Sequence, residues 1–149
     1  MMSEVNNIQF YTHHTESPEY NRDQVIQWIT QAVLNENCEI HNIVVVFCDD
    51  EYLKDINKQY LQHDYYTDII TFHYHENADP IDGEIYISLD TVADNARTLN
   101  IPLFDELHRV IIHGILHLLG YDDKNAIDQE LMREKEDYYL SLLKNQHEL

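Results

Sequence analysis

Basic residues, glycine and cysteine are all scarce in this chain of 149 residues. Only 9 Lys and Arg stand against 28 Asp and Glu, which gives a formal net charge of −19 with histidine neutral. Broad, sequence-blind binding of nucleic-acid phosphates depends on many Lys and Arg contacts. The composition therefore argues against that mode of binding, and we expect no DNA partner.

Two further absences bear on where the protein works. No apolar run approaches the ~20 residues that a membrane-spanning helix needs, and the first ten residues have neither the basic nor the apolar region of a secretory signal. If the residues between Cys38 and Cys48 are extended, the two thiols lie ~30 Å apart, too far for a disulfide. Reduced thiols and the lack of a membrane segment predict a cytoplasmic protein without a membrane partner.

Length and hydrophobic pattern predict one domain over residues 1–149, of the α+β class. The pattern indicates a mixed sheet of about four strands, together with about five helices. The strands are predicted at 6–11, 40–48, 68–74 and 84–89. The first helix is predicted from a cap at Asn21 to about 36, and the second follows a cap at Asp49 or Asp50 and carries Leu53, Ile56 and Tyr60. The others are predicted at about 90–99, at 103–119, and from a cap at Asn125 to about 145.

The helix predicted at 103–119 carries the most distinctive chemistry. Its second half has no polar face, which is typical of a helix buried on all sides, so we expect it at the centre of the fold. His113 and His117 are four residues apart on this helix and therefore share one face. Gly120 can end the helix in the left-handed conformation, so that Asp123 can fold back over both imidazoles.

This spacing is far rarer by chance than a histidine pair alone. Ten histidines in 149 residues give roughly 0.65 such pairs, and the added Gly and Asp or His lower that expectation to about 0.002. Two imidazole nitrogens and a carboxylate oxygen suit Zn²⁺, and three protein ligands leave a fourth position for water, as in catalytic sites. We therefore predict one Zn²⁺ per chain at His113, His117 and Asp123, although nickel or manganese is chemically possible. The alternative is a pair of core histidines bonded to backbone carbonyls, with Asp123 as a loop cap.

Gly114 occupies the position where zinc proteases of the H-E-x-x-H type keep a glutamate as general base. A glycine within a helix costs about 1 kcal/mol relative to alanine. We therefore expect backbone or substrate to approach the helix closely at this point. The sequence therefore lacks, at this position, the general base that zinc proteases of this type use to hydrolyse peptides.

The segment 113–122, HGILHLLGYD, resembles the signature of the YbeY family, bacterial zinc-dependent endoribonucleases that act in ribosomal RNA maturation. The resemblance extends to Asn57, Tyr60 and Asp64, to the segments 67–72 and 83–88, and to Met132 and Glu136. Two positions depart from the family pattern. Asp123 stands where the family usually has a third histidine, and Leu61 stands where it usually has an arginine.

The resemblance implies a single-strand-specific, metal-dependent endoribonuclease that matures the 3′ end of 16S ribosomal RNA and takes part in ribosome quality control. It makes His113, His117 and Asp123 the metal-binding and catalytic residues. It also implies ribosomal RNA and proteins of the small ribosomal subunit as partners. No general base is identified, and the candidates are Glu84, Asp122 and His108.

Two other functions remain open. Leu61 in place of the arginine removes a bidentate phosphate contact and, with the acidic composition, favours a metal-binding ribosome assembly factor with weak or no catalysis. The third candidate is a zinc hydrolase of another substrate, such as peptide, which Gly114 disfavours.

The acidic charge conflicts with RNA binding, because it repels phosphate at low salt. Either a local basic cleft draws on Lys54, Lys58, Arg97 and Arg109, or a protein partner on the ribosome brings the RNA to the enzyme. We favour the partner. The three aromatic residues His63, Tyr65 and Tyr66 could stack on bases or simply pack within their loop.

Overall fold

The structure is a computed structural model that describes residues 7–61, 67–74 and 79–148, with side chains as far as residue 144. The predicted α+β class is confirmed, because the described residues form five helices and one mixed sheet, which has four strands. In chain order the elements are β1 (Ile8–His13), α1 (Arg22–Asn35), β2 (Ile40–Cys48), α2 (Asp50–Leu61), β3 (Ile69–His73), β4 (Ile81–Ser88), α3 (Leu89–Leu99), α4 (Leu103–Leu118) and α5 (Ala126–Glu148).

The sheet has the strand order β1-β2-β4-β3. Strands β1, β2 and β4 run parallel, and the edge strand β3 runs antiparallel to β4. Strand β2 lies between two partners, so that Val45 is opposite Phe10 on one side and Ile85 on the other. The apolar, β-branched run of β2 fits this position, because a strand covered on both faces has little use for polar side chains.

Strands β1 and β4 differ most from their predicted bounds, whereas the ends of β3 differ by one residue. Strand β1 continues to His13, because its last residues pair with β2 as far as Cys48. Strand β4 begins at Ile81 and includes Gly83, which lies just before the predicted start of the strand at residue 84. A Cβ at Gly83 would collide with the Phe72 carbonyl and the Leu118 side chain, so the glycine allows the strand to pass beneath the end of α4.

Helix α4 packs on β3 and β4 of the sheet and is flanked by α3 and α5. As predicted, it is the central helix, and the structure buries most of its residues from Glu106 onward. Gly114 faces the sheet, where an added Cβ would lie 2.9 Å from both Ile69 Cδ1 and Ile85 Cγ2. The expectation that backbone or substrate approaches Gly114 is wrong, because sheet side chains fill that space.

Helix caps and long-range contacts complete the frame. The predicted caps are confirmed, since Asn21 Oδ1 accepts a hydrogen bond from Gln24 N and Asn125 Oδ1 accepts one from Asp128 N. Asp49 Oδ1 caps α2 in the same way, through the backbone N–H of Tyr52. Cys38 and Cys48 are free, as expected. No helix in the described ranges has the length and apolar character to cross a membrane.

Candidate metal centre

Three side chains converge at the end of α4. His113 Nε2 and His117 Nε2 are 3.0 Å apart, and each of them lies 3.4 Å from Asp123 Oδ2. The histidines come from consecutive turns of one helix, and the aspartate comes from the loop that follows. The structure therefore brings together the three residues that the sequence singled out.

The chain reversal after α4 depends on Gly120. This glycine has φ 106°, a left-handed conformation that other residues rarely adopt. Its N–H donates to the His117 carbonyl, and the N–H of Tyr121 donates to the Leu116 carbonyl. The two bonds turn the chain back along the helix, and Asp123 returns to the imidazoles as predicted.

The outer nitrogen of each imidazole already has a partner. His117 Nδ1 is 2.9 Å from the carbonyl oxygen of Tyr121, and His113 Nδ1 is 2.6 Å from Glu136 Oε2. Because these oxygens accept, each Nδ1 carries the proton and each Nε2 presents a lone pair toward Asp123. The alternative of two histidines bonded to backbone carbonyls holds for His117 alone and does not explain the convergence of both Nε2 atoms.

The donor set fits a divalent ion. A tetrahedral ion with bonds of about 2.0–2.1 Å keeps its ligand atoms roughly 3.3 Å apart, and the three separations here are 3.0, 3.4 and 3.4 Å. Burial lowers the pKa of His113, but the bonded Glu136 carboxylate and the charges of Asp123 and Asp68 outweigh burial and raise that pKa overall. Negative charge thus surrounds the point at which two lone pairs meet, and a cation would satisfy both.

Glu136 is held in turn by a cation. Arg109 Nη1 lies 2.8 Å from Glu136 Oε1, and Arg109 Nη2 lies 2.8 Å from Asp137 Oδ1. Glu136 is only 6% exposed, and a buried carboxylate requires such partners. Helical periodicity alone gives no sign that Glu136 of α5 reaches His113 of α4. The family resemblance includes Glu136 but assigns it no role.

Glu36, which the sequence analysis missed, anchors the loop that carries Asp123. The Tyr121 hydroxyl donates to Glu36 Oε1 at 2.6 Å, and Lys135 Nζ and the Tyr139 hydroxyl donate to Oε2. Burial raises the pKa of Glu36, but these donors outweigh burial and lower that pKa overall. The Tyr121 ring is thereby fixed, and its carbonyl is the group that orients His117.

Two grooves open onto the metal centre, and both are lined by His113 and Asp123. The first, which we call the α2 groove, has a volume of about 350 Å³ and is further lined by Asn57, Leu61, residues 67–71 and His117. The second, the α5 groove, has a volume of about 490 Å³ and is further lined by Ala126, Gln129, Glu130, Met132, Arg133 and Glu136. Burial raises the pKa of Asp68 in the α2 groove.

None of the three candidate general bases lines either groove. Glu84 follows Gly83 and precedes Ile85, which both face α4, so it points to the opposite face of the sheet and accepts from the Tyr86 hydroxyl at 2.7 Å. His108 is 1% exposed, and its Nδ1 is 2.6 Å from the Phe104 carbonyl. Asp122 is exposed on the loop and does not belong to the group of three residues that could hold a metal.

The basic cleft, which was the less favoured of the two alternatives, gains no support, since none of its four residues lines either groove. Arg109 is bound to Glu136 and Asp137, and Arg97 pairs with Asp94. Lys54 and Lys58 lie on α2, and neither is among the residues that line the α2 groove. The proposed stacking residues His63, Tyr65 and Tyr66, and also Asp64 of the family resemblance, lie outside the described residues.

Comparison with known proteins extends the match over nearly the whole chain. Residues 7–144 match the family model described as Endoribonuclease YbeY. The chain is 44% identical over 134 residues to the Endoribonuclease YbeY of Amoebophilus asiaticus, which covers 90% of this chain and 91% of that protein. It is 47% identical over 137 residues to the Endoribonuclease YbeY of Porphyromonas gingivalis, with 92% and 90% covered.

A solved structure matches the fold as well. The solution structure of TM1509 from Thermotoga maritima has a TM-score of 0.68 and 26% sequence identity. The alignment covers 95% of this chain and 91% of that one. These matches extend over the sheet, the central helix and the loop that carries Asp123.

Proposed function

The chain belongs to the endoribonuclease YbeY family, and from that premise we propose that it hydrolyses single-stranded RNA at a divalent metal held by His113, His117 and Asp123. The observation that carries the proposal is the convergence of two Nε2 lone pairs and one carboxylate oxygen within 3.4 Å of one another. We propose Zn²⁺ as the metal, because imidazole nitrogen and carboxylate oxygen in a set of three suit that ion.

The bound metal would supply a Lewis acid and would lower the pKa of a coordinated water. The remaining work is done by the protein. Glu136 Oε2 and the Tyr121 carbonyl hold the Nδ1 protons of the two histidines, so that both rings keep the tautomer that presents Nε2. Arg109 pairs with Glu136 and so offsets part of the charge of that buried carboxylate.

The RNA substrate and the cellular role that we propose follow from the family resemblance. We propose maturation of the 3′ end of 16S ribosomal RNA and a part in ribosome quality control, in the cytoplasm, together with proteins of the small ribosomal subunit. The charge of −19 supports a protein partner, because a basic partner would offset the repulsion between this chain and RNA. The free thiols of Cys38 and Cys48 are consistent with a reducing compartment.

A second function, a metal-binding assembly factor with weak or no catalysis, is favoured by Leu61. This apolar residue lines the α2 groove at the position where the family usually has an arginine, and no Lys or Arg is among the described residues that line the groove. Peptide hydrolysis gains no such support. Gly114 is packed against the sheet and leaves its helix position without a general base.

The test compares wild-type protein with His117→Ala and with a control, His41→Ala, at an exposed histidine of β2. Proteins purified without chelator are analysed for bound metal and for cleavage of a single-stranded RNA. We expect one metal per chain and cleavage in the wild type and the control, with a loss of at least about a hundredfold in His117→Ala.

The other outcomes separate the alternatives. Bound metal without RNA cleavage at any salt concentration would favour the assembly factor. Metal-dependent cleavage of a peptide would favour a different hydrolase. A wild-type preparation without any bound metal would contradict the proposal.

A further inference from the structure

The α5 groove contains a guanidinium group that no other part of the site uses. Arg133 lines this groove together with His113 and Asp123. We propose that Arg133 binds a backbone phosphate of the RNA that lies at the metal centre. This inference rests on the proposed function and names the residue that positions its substrate.

The position of Arg133 follows from the geometry of α5. Gln129, Arg133 and Glu136 are separated by four and three residues, so their side chains lie on one face of the helix. Glu136 of this face contacts His113 directly. Arg133 is one turn nearer the start of the helix and is exposed, so its guanidinium reaches the solvent within the groove.

Charge makes this residue distinctive. Among the described residues that line the two grooves, Arg133 is the one Lys or Arg, whereas Asp68, Asp123, Glu130 and Glu136 are acidic. Besides the metal that the proposed function places at the centre, a further cation is needed to offset these carboxylates when an RNA phosphate enters the groove. Arg133 is the cation placed to do so.

The guanidinium of Arg133 is also available. It forms no ion pair or hydrogen bond with the residues that the structure describes. Arg109, by contrast, donates hydrogen bonds from both of its terminal nitrogens, to Glu136 and Asp137. A free guanidinium can donate two parallel hydrogen bonds to a phosphate, which gives geometric specificity as well as charge.

Among the described residues that line the α2 groove, on the opposite side of the centre, there is no equivalent group. Leu61 lines the α2 groove and is 40% exposed, but its side chain is apolar. The phosphate contact therefore lies on the α5 side. Placing an arginine at position 61 would offer a cation on the other side of the same centre.

The first experiment compares Arg133→Gln, Arg133→Lys and the control Arg97→Gln with the wild type. Arg97 is an exposed arginine of α3 that pairs with Asp94 and lines neither groove. In steady-state cleavage of a single-stranded RNA oligonucleotide, we expect Arg133→Gln to raise KM about tenfold or more with a smaller change in kcat. Arg133→Lys should retain part of the affinity, and the control should match the wild type.

The second experiment does not depend on turnover. Binding of the same oligonucleotide to chelator-treated protein is measured against salt concentration. Losing one phosphate contact should reduce the slope of log K against log salt by about 0.7 in Arg133→Gln. Metal stoichiometry and thermal unfolding should stay at wild-type values, because Arg133 is exposed and contacts no metal ligand.

A relocated cation gives the decisive control. In the double variant Leu61→Arg/Arg133→Gln we expect part of the lost RNA affinity to return. An unchanged KM and an unchanged salt slope in Arg133→Gln would overturn the proposal, even if the wild type cleaves RNA. Loss of metal in that variant would also overturn it, since the residue would then be structural. If the wild type binds metal but cleaves no RNA, the proposed function fails, and the salt slope still decides on Arg133.

Discussion

At the scale of single residues, the two imidazoles owe their orientation to partners that are remote in the sequence. Glu136 lies 23 residues beyond His113, yet its carboxylate accepts the Nδ1 proton at 2.6 Å. His117 instead uses a local carbonyl, that of Tyr121. His117 is thus oriented by the loop that directly follows its helix, and His113 is oriented by helix α5, which packs against α4. The second arrangement is the more sensitive to substitution, because the carboxylate is buried.

We predict that Glu136→Gln weakens metal binding about tenfold to a hundredfold, since an amide holds the Nδ1 proton of His113 less strongly and no longer neutralises Arg109. Competition with a chromophoric chelator measures the dissociation constant. Glu134→Gln, at an exposed position of the same helix, is the matched control. Equal affinities in the two variants would show that Glu136 does not support the ligand.

At the scale of elements, close contact between α4 and the sheet sets the position of the two histidines that we propose as metal ligands. Gly114 lies between His113 and His117 along the helix and allows the backbone to approach Ile69 and Ile85. Gly114 stands at the position where zinc proteases have their glutamate base, and here it allows α4 to pack closely against β3 and β4. Packing, not catalysis, is the physical reason for this glycine.

We predict that overpacking in Gly114→Ala costs about 1–3 kcal/mol, against a gain of about 1 kcal/mol in helix propensity, so that the net destabilisation reaches up to about 2 kcal/mol. Urea unfolding measures the free energy. The double variant Gly114→Ala/Ile69→Val removes one of the two clashing methyl groups and should recover part of the loss. A single variant that is as stable as the wild type would contradict this view of the helix–sheet contact.

At the scale of the whole molecule, helix α1 near the start of the chain contacts helix α5 near its end. Trp28 Nε1 of α1 donates to the Tyr139 carbonyl of α5 at 2.7 Å, across 111 positions of sequence. Glu36, just after α1, joins the loop that follows α4 to α5 through Tyr121, Lys135 and Tyr139. The loop that carries Asp123 is thereby fixed to a frame that residues from both halves of the chain complete.

This network predicts a pH dependence of stability. The folded-state pKa of Glu36 lies below the ordinary value of 4.5. The stability it contributes is therefore present above the unfolded pKa and is lost as the pH falls through the folded pKa. The free energy of unfolding should fall less steeply between about pH 6 and pH 3 in Glu36→Gln than in the wild type.

Urea unfolding of chelator-treated protein measures this difference. At neutral pH Glu36→Gln should be less stable by about 1–3 kcal/mol, and the gap should narrow with acidification. Glu39→Gln, at an exposed glutamate nearby, should follow the wild type. A gap that stays constant down to pH 3 would show that ionisation of Glu36 does not stabilise the fold.

The sequence by itself determined what depends on neighbours within about ten residues. The i, i+4 histidines, the left-handed Gly120 and the return of Asp123 form one local unit. The caps at Asn21 and Asn125 and the apolar run of β2 are likewise encoded locally. These features were predicted because helix periodicity, glycine conformation and side-chain capping act over a few bonds.

Only the tertiary structure decided which distant groups meet. Because side chains alternate along a strand, Glu84 and Ile85 point to opposite faces of the sheet. Only the packing of α4 on one of these faces decides which of the two side chains faces the helix. The same holds for Glu136 and Glu36, whose partners lie on other elements, and for Arg133, whose groove exists only where α5 passes the metal centre. Such contacts depend on the relative placement of whole elements, which local sequence patterns do not specify.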